Sequence, residues 1–404
     1  MSNLAIDGGT PIRPDSKPWP IWPVHNALEE NALLDVLHSG NWWSVDGTRV
    51  EEFAKTFAAF QGAEQGICVT NGSHALEIAL RALGIGCGDE VIVPPYTFVA
   101  TASSTLAVSA APVFVDIEPG TLNIDPARIE EAITPRTKAI IPVHIGGRPA
   151  DMDGVLAIAK KHGLAVIEDA AQAPGAEWRG KKVGALGDCG TFSFQASKNL
   201  NAGEGGIILA NDTALAGNIW SVANVGRLRH GEWYEHAVLG SNYRMTEWQG
   251  AILLAQLTRL PEQIERRTLS AAALTALLDE IPGITTLTPD PRITVDARHL
   301  FCFRYNSHEF GGHTRDEFLA ALAAEGVDCG DGYLPLYREG LFRNKAGRCQ
   351  IGSPGAYDSY IERCPVCEEV CGDVVWIWQN MLLAEPEEMA DIANAIIKIQ
   401  EAWS

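Results

Sequence analysis

No long hydrophobic run is present in this chain. The longest weakly polar stretch, residues 91–115, is broken by Pro94-Pro95, by Ser103-Ser104 and by Pro112. It therefore reads as strand, turn, helix and strand rather than as a membrane span, which takes about 20 consecutive apolar residues. The opening Met1-Ser2-Asn3-Leu4-Ala5-Ile6-Asp7 has no basic flank leading into an apolar core, so a secretory signal is not expected and the expected location is cytoplasmic. Positive charge is in short supply: 31 Lys and Arg against 51 Asp and Glu give a formal charge of −20. So acidic a chain repels phosphate backbones and anionic membranes, which removes nucleic acid and membrane surfaces from its expected partners. Internal repeats and low-complexity segments are absent as well.

Patterned cysteine is also missing. There are nine, an odd number, and most stand alone in apolar or turn contexts (Cys68, Cys87, Cys189, Cys302, Cys329, Cys349), which implies reduced thiols and no disulfide framework. The cluster Cys364-Pro365-Val366-Cys367-Glu368-Glu369-Val370-Cys371 has CxxC spacing, but no second CxxC or HxxxH supplies a fourth ligand, and no metal is expected. The plainer reading is a helix opening at Pro365, with Cys367 and Cys371 on one face.

What is present is an ordinary globular composition over 404 residues, enough for two domains with separate cores. From about residue 50 helix and strand alternate: helix 50–60, strand 66–69, helix 73–83, strand 90–93, helix 101–108, strand 112–115, helix 126–132, strand 139–142, helix 153–162 and a strand ending at Asp169. Such alternation predicts a mostly parallel sheet with helices on its faces, an α/β fold. The chain returns as Ile207-Ile208-Leu209, and from about Thr246 a long amphipathic helix (Ile252, Leu253, Leu257, Leu260, Ile264) leaves the sheet. Residues 1–255 are read as an N-terminal arm and a large domain, and 256–404 as a smaller C-terminal α+β domain with a strand at 300–305, a helix at 315–325 and a closing helix at 387–403. The Pro-rich segment 11–23, with Trp19 and Trp22, is expected to pack on a partner surface.

The most informative residue is Lys198. It ends the apolar, strand-like run Thr191-Phe192-Ser193-Phe194-Gln195-Ala196-Ser197-Lys198 and precedes the turn Ala202-Gly203-Glu204-Gly205-Gly206, a place where a lysine can trap an aldehyde. Leu164-Ala165-Val166-Ile167 ends likewise in Glu168-Asp169. An amine and a carboxylate then both emerge from the carboxyl ends of buried strands, where open α/β sheets bind ligands. The pair suggests pyridoxal 5'-phosphate (PLP), whose aldehyde takes a lysine and whose ring nitrogen takes an acidic partner. Singly, the lysine reads as a solvated charge and the aspartate as a helix cap. Thr70-Asn71-Gly72-Ser73-His74-Ala75 lies between strand and helix, so Gly72 permits a tight turn and the amides of Ser73 and His74 open a helix whose N-terminus suits a phosphate. Ser193 offers that phosphate a second hydroxyl.

These segments, with Val93-Pro94-Pro95-Tyr96-Thr97-Phe98 and Gly240-Ser241-Asn242-Tyr243-Arg244-Met245, resemble the PLP-dependent aminotransferases of the DegT/DnrJ/EryC1/StrS family, fold type I enzymes that aminate keto-sugars and keto-cyclitols. The resemblance runs nearly end to end. It implies that Lys198 binds the cofactor aldehyde, that Asp169 pairs with the ring nitrogen, that Gln172 stands near the phenolic oxygen and that Phe98 stacks on the ring. Gly72, Ser73, His74 and Ser193 match the phosphate cradle. Asn242 resembles the asparagine that reaches the phosphate of a neighbouring subunit, and Arg244 the arginine that holds the amino donor's carboxylate there, so a homodimer with shared sites is implied. The donor would be L-glutamine or L-glutamate.

Within the family the chain is similar to the scyllo-inosose aminotransferases and the aminohydroxybenzoate synthases, which share Asp151-Met152-Asp153, the Gly203–Gly206 turn and Leu382-Leu383-Ala384. Those subgroups carry a His-His pair before the leucine run, and here the positions hold Trp378-Gln379, which implies an altered acceptor pocket. Two alternatives stand beside amino transfer. One is a PLP-dependent dehydratase or a synthase of the aminohydroxybenzoate type, although Lys198 argues against the dehydratases that put His in its place. The other is a PLP-binding regulatory protein without catalysis, although nothing catalysis needs is missing. His144 and the pair Trp42-Trp43 receive no catalytic role.

Overall fold

The computed structural model describes residues 3–343 and 357–403, so Cys349 lies outside the described residues. In chain order the strands are β1 (Gln65–Val69), β2 (Glu90–Val93), β3 (Ala111–Phe114), β4 (Thr137–Ile140), β5 (Ala165–Asp169), β6 (Glu177–Trp178), β7 (Lys181–Lys182), β8 (Cys189–Ser193), β9 (Gly206–Ala210), β10 (Ile284–Thr286), β11 (Ile293–Val295), β12 (Leu300–Tyr305), β13 (Cys329–Gly330) and β14 (Val374–Trp378). Seven form the central sheet, in the order β1-β9-β8-β5-β4-β2-β3. Neighbours are parallel except where β9 runs against β1 and β8, which makes the mostly parallel α/β sheet of a fold type I transferase. Alternation along each strand fills both faces: Val91 and Val93 join one core with Ile78 and Ile208, while Ile92 joins another with Phe53, Phe57, Val166 and Ile207. Burial on both faces is why these strands are apolar throughout.

Helix ends follow their local chemistry. In Met152–His162 the Asp151 side chain accepts the Gly154 amide, and Gly163 closes the helix at φ 65 behind Lys160, Lys161 and His162, as expected of an N-cap and a glycine stop. The long helix expected from Thr246 is two helices, Glu247–Leu257 and Leu260–Leu278, with Pro261 in the first turn of the second. Proline has no N–H to donate and its ring collides with the carbonyl four residues back, so the chain restarts there. The strand-like run before Lys198 is also shorter than expected, because β8 ends at Ser193.

A second sheet, β10-β12-β14-β13, buries Phe301, Phe303, Val375 and Ile377 against Leu274, Ile392 and Ile396. Leu4 sits in the same core, and the N-terminal arm that follows lies along its own chain. Arg13 pairs with Asp391 at 2.7 Å and Glu388 at 2.9 Å, the Trp19 indole donates to the Gly326 carbonyl at 2.8 Å, and the Trp22 indole donates to the Ala196 carbonyl at 2.9 Å. The arm's polar groups thus find their acceptors internally. The cysteine cluster lies on the helix Pro365–Asp373, whose Val366 and Cys367 amides donate to Asp116. Cys367 and Cys371 face each other with sulfurs 3.8 Å apart. Among the described residues no group of three or more His, Cys, Asp or Glu is arranged to hold a metal, and no helix is long and apolar enough to cross a membrane.

Candidate active site

Register brings the site together. Gly206 of β9 pairs with Val69 on one side and with Ser193 on the other, while Thr191, two residues before Ser193, pairs with Asp169. The chain leaving β1, the end of β8 and the end of β5 therefore meet along one edge of the sheet, three strand ends arriving from separate parts of the sequence.

Beyond Ser193 the chain folds back on itself. Phe194 donates to Gly205, Ala196 to Gly203 and Ala202 to Phe194, at 2.8, 3.0 and 3.0 Å, and Gly203 supplies the φ of +81° that the reversal needs. Lys198 sits at the tip of this hairpin-like loop. Burial pulls its ammonium down to about 8, although the charge of Asp169 favours the protonated form; the desolvated amine is thus readily freed of its proton.

Asp169 is buried. Thr101 donates its hydroxyl to Oδ2 at 2.8 Å and the Ala171 amide reaches Oδ1 at 3.3 Å. Burial pushes its carboxyl up, opposed by these two hydrogen bonds and by the charges of Lys198 and His144. A cationic ring nitrogen beside it would supply the opposite charge that such a carboxylate lacks. Behind it, the Ala150 amide donates to His144 Nδ1 at 3.0 Å, so the ring proton is on Nε2 and is donated to Glu168 at 3.0 Å. Glu168 also accepts the amides of Gly184, Leu186 and Gly187 at 2.7 to 2.8 Å. His144 thus joins the Ala150 amide to Glu168 within this buried layer.

The phosphate cradle has a sharper form than its residues alone suggest. Asn71 caps the helix Gly72–Ala82 by accepting the His74 amide at 2.8 Å, so the amides that remain for a ligand are those of Gly72 and Ser73, which no helical carbonyl can reach. A Cβ on Gly72 would lie 2.8 Å from the Ser193 Cβ, and one on Gly206 2.5 Å from the Asn71 carbonyl; both glycines are required for the turn to close on the end of β8. The His74 ring is held by the Thr70 hydroxyl at 2.6 Å and packs on Tyr243, centroids 4.7 Å apart. These groups fit a phosphate at the helix start, a carboxylate and an amine beyond it, and hence PLP as an occupant.

Gln172 accepts the Gly146 amide at 2.6 Å and donates to the Tyr333 hydroxyl at 3.0 Å. Phe98 leaves 55% of its surface exposed, just ahead of the helix Ala100–Ala107 that carries Thr101. The Asn242–Arg244 segment runs beside the end of β1, with Val69 opposite Arg244 and Asn224 opposite Asn242. Asn242 is exposed. The Arg244 guanidinium donates to Asn224 at 2.6 Å, stands 5.4 Å from the Trp43 ring and lines a cavity of about 480 Å³ with Glu51, Lys55, Trp220 and Arg229. It turns to the outer edge of the sheet.

Several residues of the site were not read from the sequence. Thr101 and Tyr333 give no local signal, because each matters only through Asp169 or Gln172. Asn199, next to Lys198, accepts from the buried His299 at 3.1 Å, and Arg267 lies buried against Trp22 and Gln379. Asn71 could have been found, since Asn before a glycine-initiated helix is a cap pattern.

The DegT/DnrJ/EryC1/StrS aminotransferase family profile matches residues 24–396. The chain is 40% identical over 409 residues to a Micromonospora echinospora protein provisionally named L-glutamine:3-amino-2,3-dideoxy-scyllo-inosose aminotransferase, covering 98% of this chain and 97% of that one. It is 38% identical to the L-glutamine:2-deoxy-scyllo-inosose aminotransferase of Streptomyces paromomycinus, covering 98% and 97%. The crystal structure of 3-amino-5-hydroxybenzoic acid synthase superposes with a TM-score of 0.88 at 36% identity, covering 95% of this chain and 99% of that one. The protein is an enzyme belonging to the DegT/DnrJ/EryC1/StrS aminotransferase family.

Proposed function

We propose that the protein transfers an amino group from L-glutamine, or L-glutamate, to the ring ketone of a cyclitol or related sugar, using PLP bound through Lys198. The observation that carries this reading is the desolvated Lys198 amine facing Asp169 along one strand edge with the Gly72/Ser73 amides and Ser193. Full-length relatives named for glutamine-dependent amination of scyllo-inososes support the substrate class. When bound, PLP supplies an electron sink for the carbon that loses its proton. Asp169, aimed by Thr101, keeps the ring nitrogen protonated; Lys198, released as a free amine, takes the donor's α-proton and later returns one to the acceptor carbon. The Gly72 and Ser73 amides and the Ser73 and Ser193 hydroxyls hold the phosphate, the expected His74 amide being committed to Asn71 instead; Gln172 meets the phenolic oxygen and Phe98 covers the ring face.

We further propose a homodimer in which Asn242 and Arg244 act in the partner's site, which accords with Arg244 turning to the outer edge. A cytoplasmic setting accords with the free thiols of Cys189, Cys302 and Cys367. A second reading, water loss of the aminohydroxybenzoate synthase kind, has support in the likeness to that synthase. Incubation with L-glutamine and a panel of cyclitol and sugar ketones, with products identified by mass, separates amine gain from water loss. Lys198→Ala abolishes either reaction, and a protein that takes up no PLP refutes both. Mixing Lys198→Ala with Asn242→Ala/Arg244→Ala restores about a quarter of wild-type activity if the sites are shared, and none if they are not.

A further inference from the structure

Gln172, three residues past β5, has 4% of its surface exposed. A side-chain amide carries one acceptor oxygen and two N–H donors. Here the oxygen accepts the Gly146 amide at 2.6 Å, and one N–H goes to the Tyr333 hydroxyl at 3.0 Å. This orientation admits no flip, because turning the amide over would set its nitrogen against the Gly146 N–H. Among the described residues the Gln172 nitrogen has no other acceptor, so its second N–H is left for a ligand.

Tyr333 reaches Gln172 from the other sheet. It lies three residues past β13, and its loop is fastened to the chain that leaves β2. The Leu336 amide donates to the Pro95 carbonyl at 3.0 Å, and the indole of Trp376, on β14, donates to the Tyr96 hydroxyl at 3.0 Å. Gly332 stands at φ +83°, and a Cβ there would lie 2.9 Å from the Tyr96 hydroxyl oxygen, so glycine is what lets the loop come this close. The Tyr333 ring makes edge contacts with Trp376 and Tyr96, centroids 4.6 and 5.5 Å away. Burial and the charge of Asp169 push its phenol up, against the hydrogen bond from Gln172, so the hydroxyl is neutral and its oxygen accepts.

Resting on the PLP reading above, we propose that Tyr333 is a positioning residue: its hydroxyl holds the Gln172 amide so that the second N–H is presented to the phenolic oxygen of bound PLP. Two fixed contacts, to Gly146 and to Tyr333, leave that N–H a single direction. A donor on the phenolic oxygen stabilises its negative charge most when no other proton is near, and so eases release of the proton that the oxygen shares with the Lys198 nitrogen. An amide freed from Tyr333 would point elsewhere part of the time, and that proton would be held more firmly. Through one hydroxyl, the second sheet thereby sets the protonation of a cofactor bound on the central one.

The test reads the absorbance of PLP-loaded protein as pH is varied, with no substrate present. Tyr333→Phe keeps the ring and its packing and deletes the acceptor; the pH midpoint of the cofactor band rises by about half a unit, the part of one hydrogen bond that the freed amide loses. Gln172→Leu removes the donor, and its midpoint rises further, by about one unit. Adding Tyr333→Phe to Gln172→Leu moves it no more, since a residue acting through Gln172 has nothing left to act on. Tyr96→Phe is the structural control: it strips the Trp376 indole of its acceptor, lowers the melting temperature and leaves the midpoint where it was. Equal midpoints in wild type and Tyr333→Phe, additive shifts in the double variant, or a Tyr96→Phe shift as large as that of Tyr333→Phe overturn the proposal. A protein that takes up no PLP refutes the functional reading and this inference with it, whereas uptake with an unmoved midpoint in Tyr333→Phe refutes this inference alone.

Discussion

Two buried histidines flank the site and are held in opposite tautomers. His144 receives the Ala150 amide on Nδ1 and donates from Nε2 to Glu168; His299 donates from Nδ1 to Asn199 and keeps its lone pair on Nε2. The wall behind Asp169 is built from neighbouring strand ends, and its central carboxylate, Glu168, is saturated with donors. The wall behind Lys198 draws Trp22, Asn199, Arg267, His299 and Gln379 from across the chain and, among the described residues, leaves the Arg267 cation without an acid. Fully satisfied networks fix a geometry, whereas a charge held by neutral groups sets an electrostatic bias that a single substitution can cancel. The first wall backs Asp169; the second backs the loop that carries Lys198.

The largest expected effect falls on the first wall. Asp169→Asn keeps the shape and the Thr101 contact but removes the charge that holds a ring nitrogen protonated, so kcat falls on the order of 100-fold or more, with PLP still bound. A loss of only a few-fold, read in steady-state kinetics with the retained PLP absorbance as control, would place the electronic control elsewhere and break the contrast between the two walls.

The legibility of the sequence divides along the same line. Asp169 and Ser193 stand out because each ends a strand, where parallel sheets bind ligands; Gly72 opens a helix just past another strand, and Lys198 stands between an apolar run and a glycine turn. The sheet and most of its helices follow from alternation, and the break at Pro261 follows from one residue's missing N–H. Thr101, Tyr333, His299 and Arg267 carry no such mark. Arg267 reads as the polar face of an amphipathic helix until Gln379 and Trp22 close over it, and the Trp378-Gln379 departure marks a difference from related chains without showing that Gln379 holds a buried cation.

Next in size is Glu168→Gln. The new amide nitrogen would confront donors that now point at a carboxylate, and the cost is about 3 kcal/mol by the usual worth of hydrogen bonds to charged groups. Urea unfolding reads it directly. Should the variant unfold at the wild-type midpoint, the first wall is less rigid than its hydrogen bonds imply.

Lys198 provides a pH test between the walls. Its ammonium is pulled from 10.5 to about 8 in the fold, so the folded protein binds that proton less tightly than the unfolded chain does. The resulting penalty is present in full below about 8, is relieved between about 8 and 10.5 as the folded state releases its proton first, and is gone above 10.5. Lys198→Met removes the group. Without cofactor, the variant should therefore be the more stable protein near neutral pH, with a margin that narrows as pH rises through that window. Thermal melts across the range measure it; a margin that widens with pH would mean that Asp169 outweighs burial in setting the lysine.

The smallest effect tests how tightly the second wall is tied to the lysine loop. Trp22→Phe keeps an aromatic face against Arg267 and deletes only the indole N–H that reaches the Ala196 carbonyl at 2.9 Å. One such hydrogen bond is worth about 1 kcal/mol, and the carbonyl it leaves lies in a loop already closed by the Phe194, Ala196 and Ala202 amides. Global stability should fall by about that amount, whereas the acceptor KM should rise more than kcat falls, because the arm orients the loop's substrate side and not its chemistry. If Trp22→Phe instead costs more stability than Glu168→Gln, the order of the walls reverses, and the N-terminal arm becomes the part of the site on which the lysine loop depends.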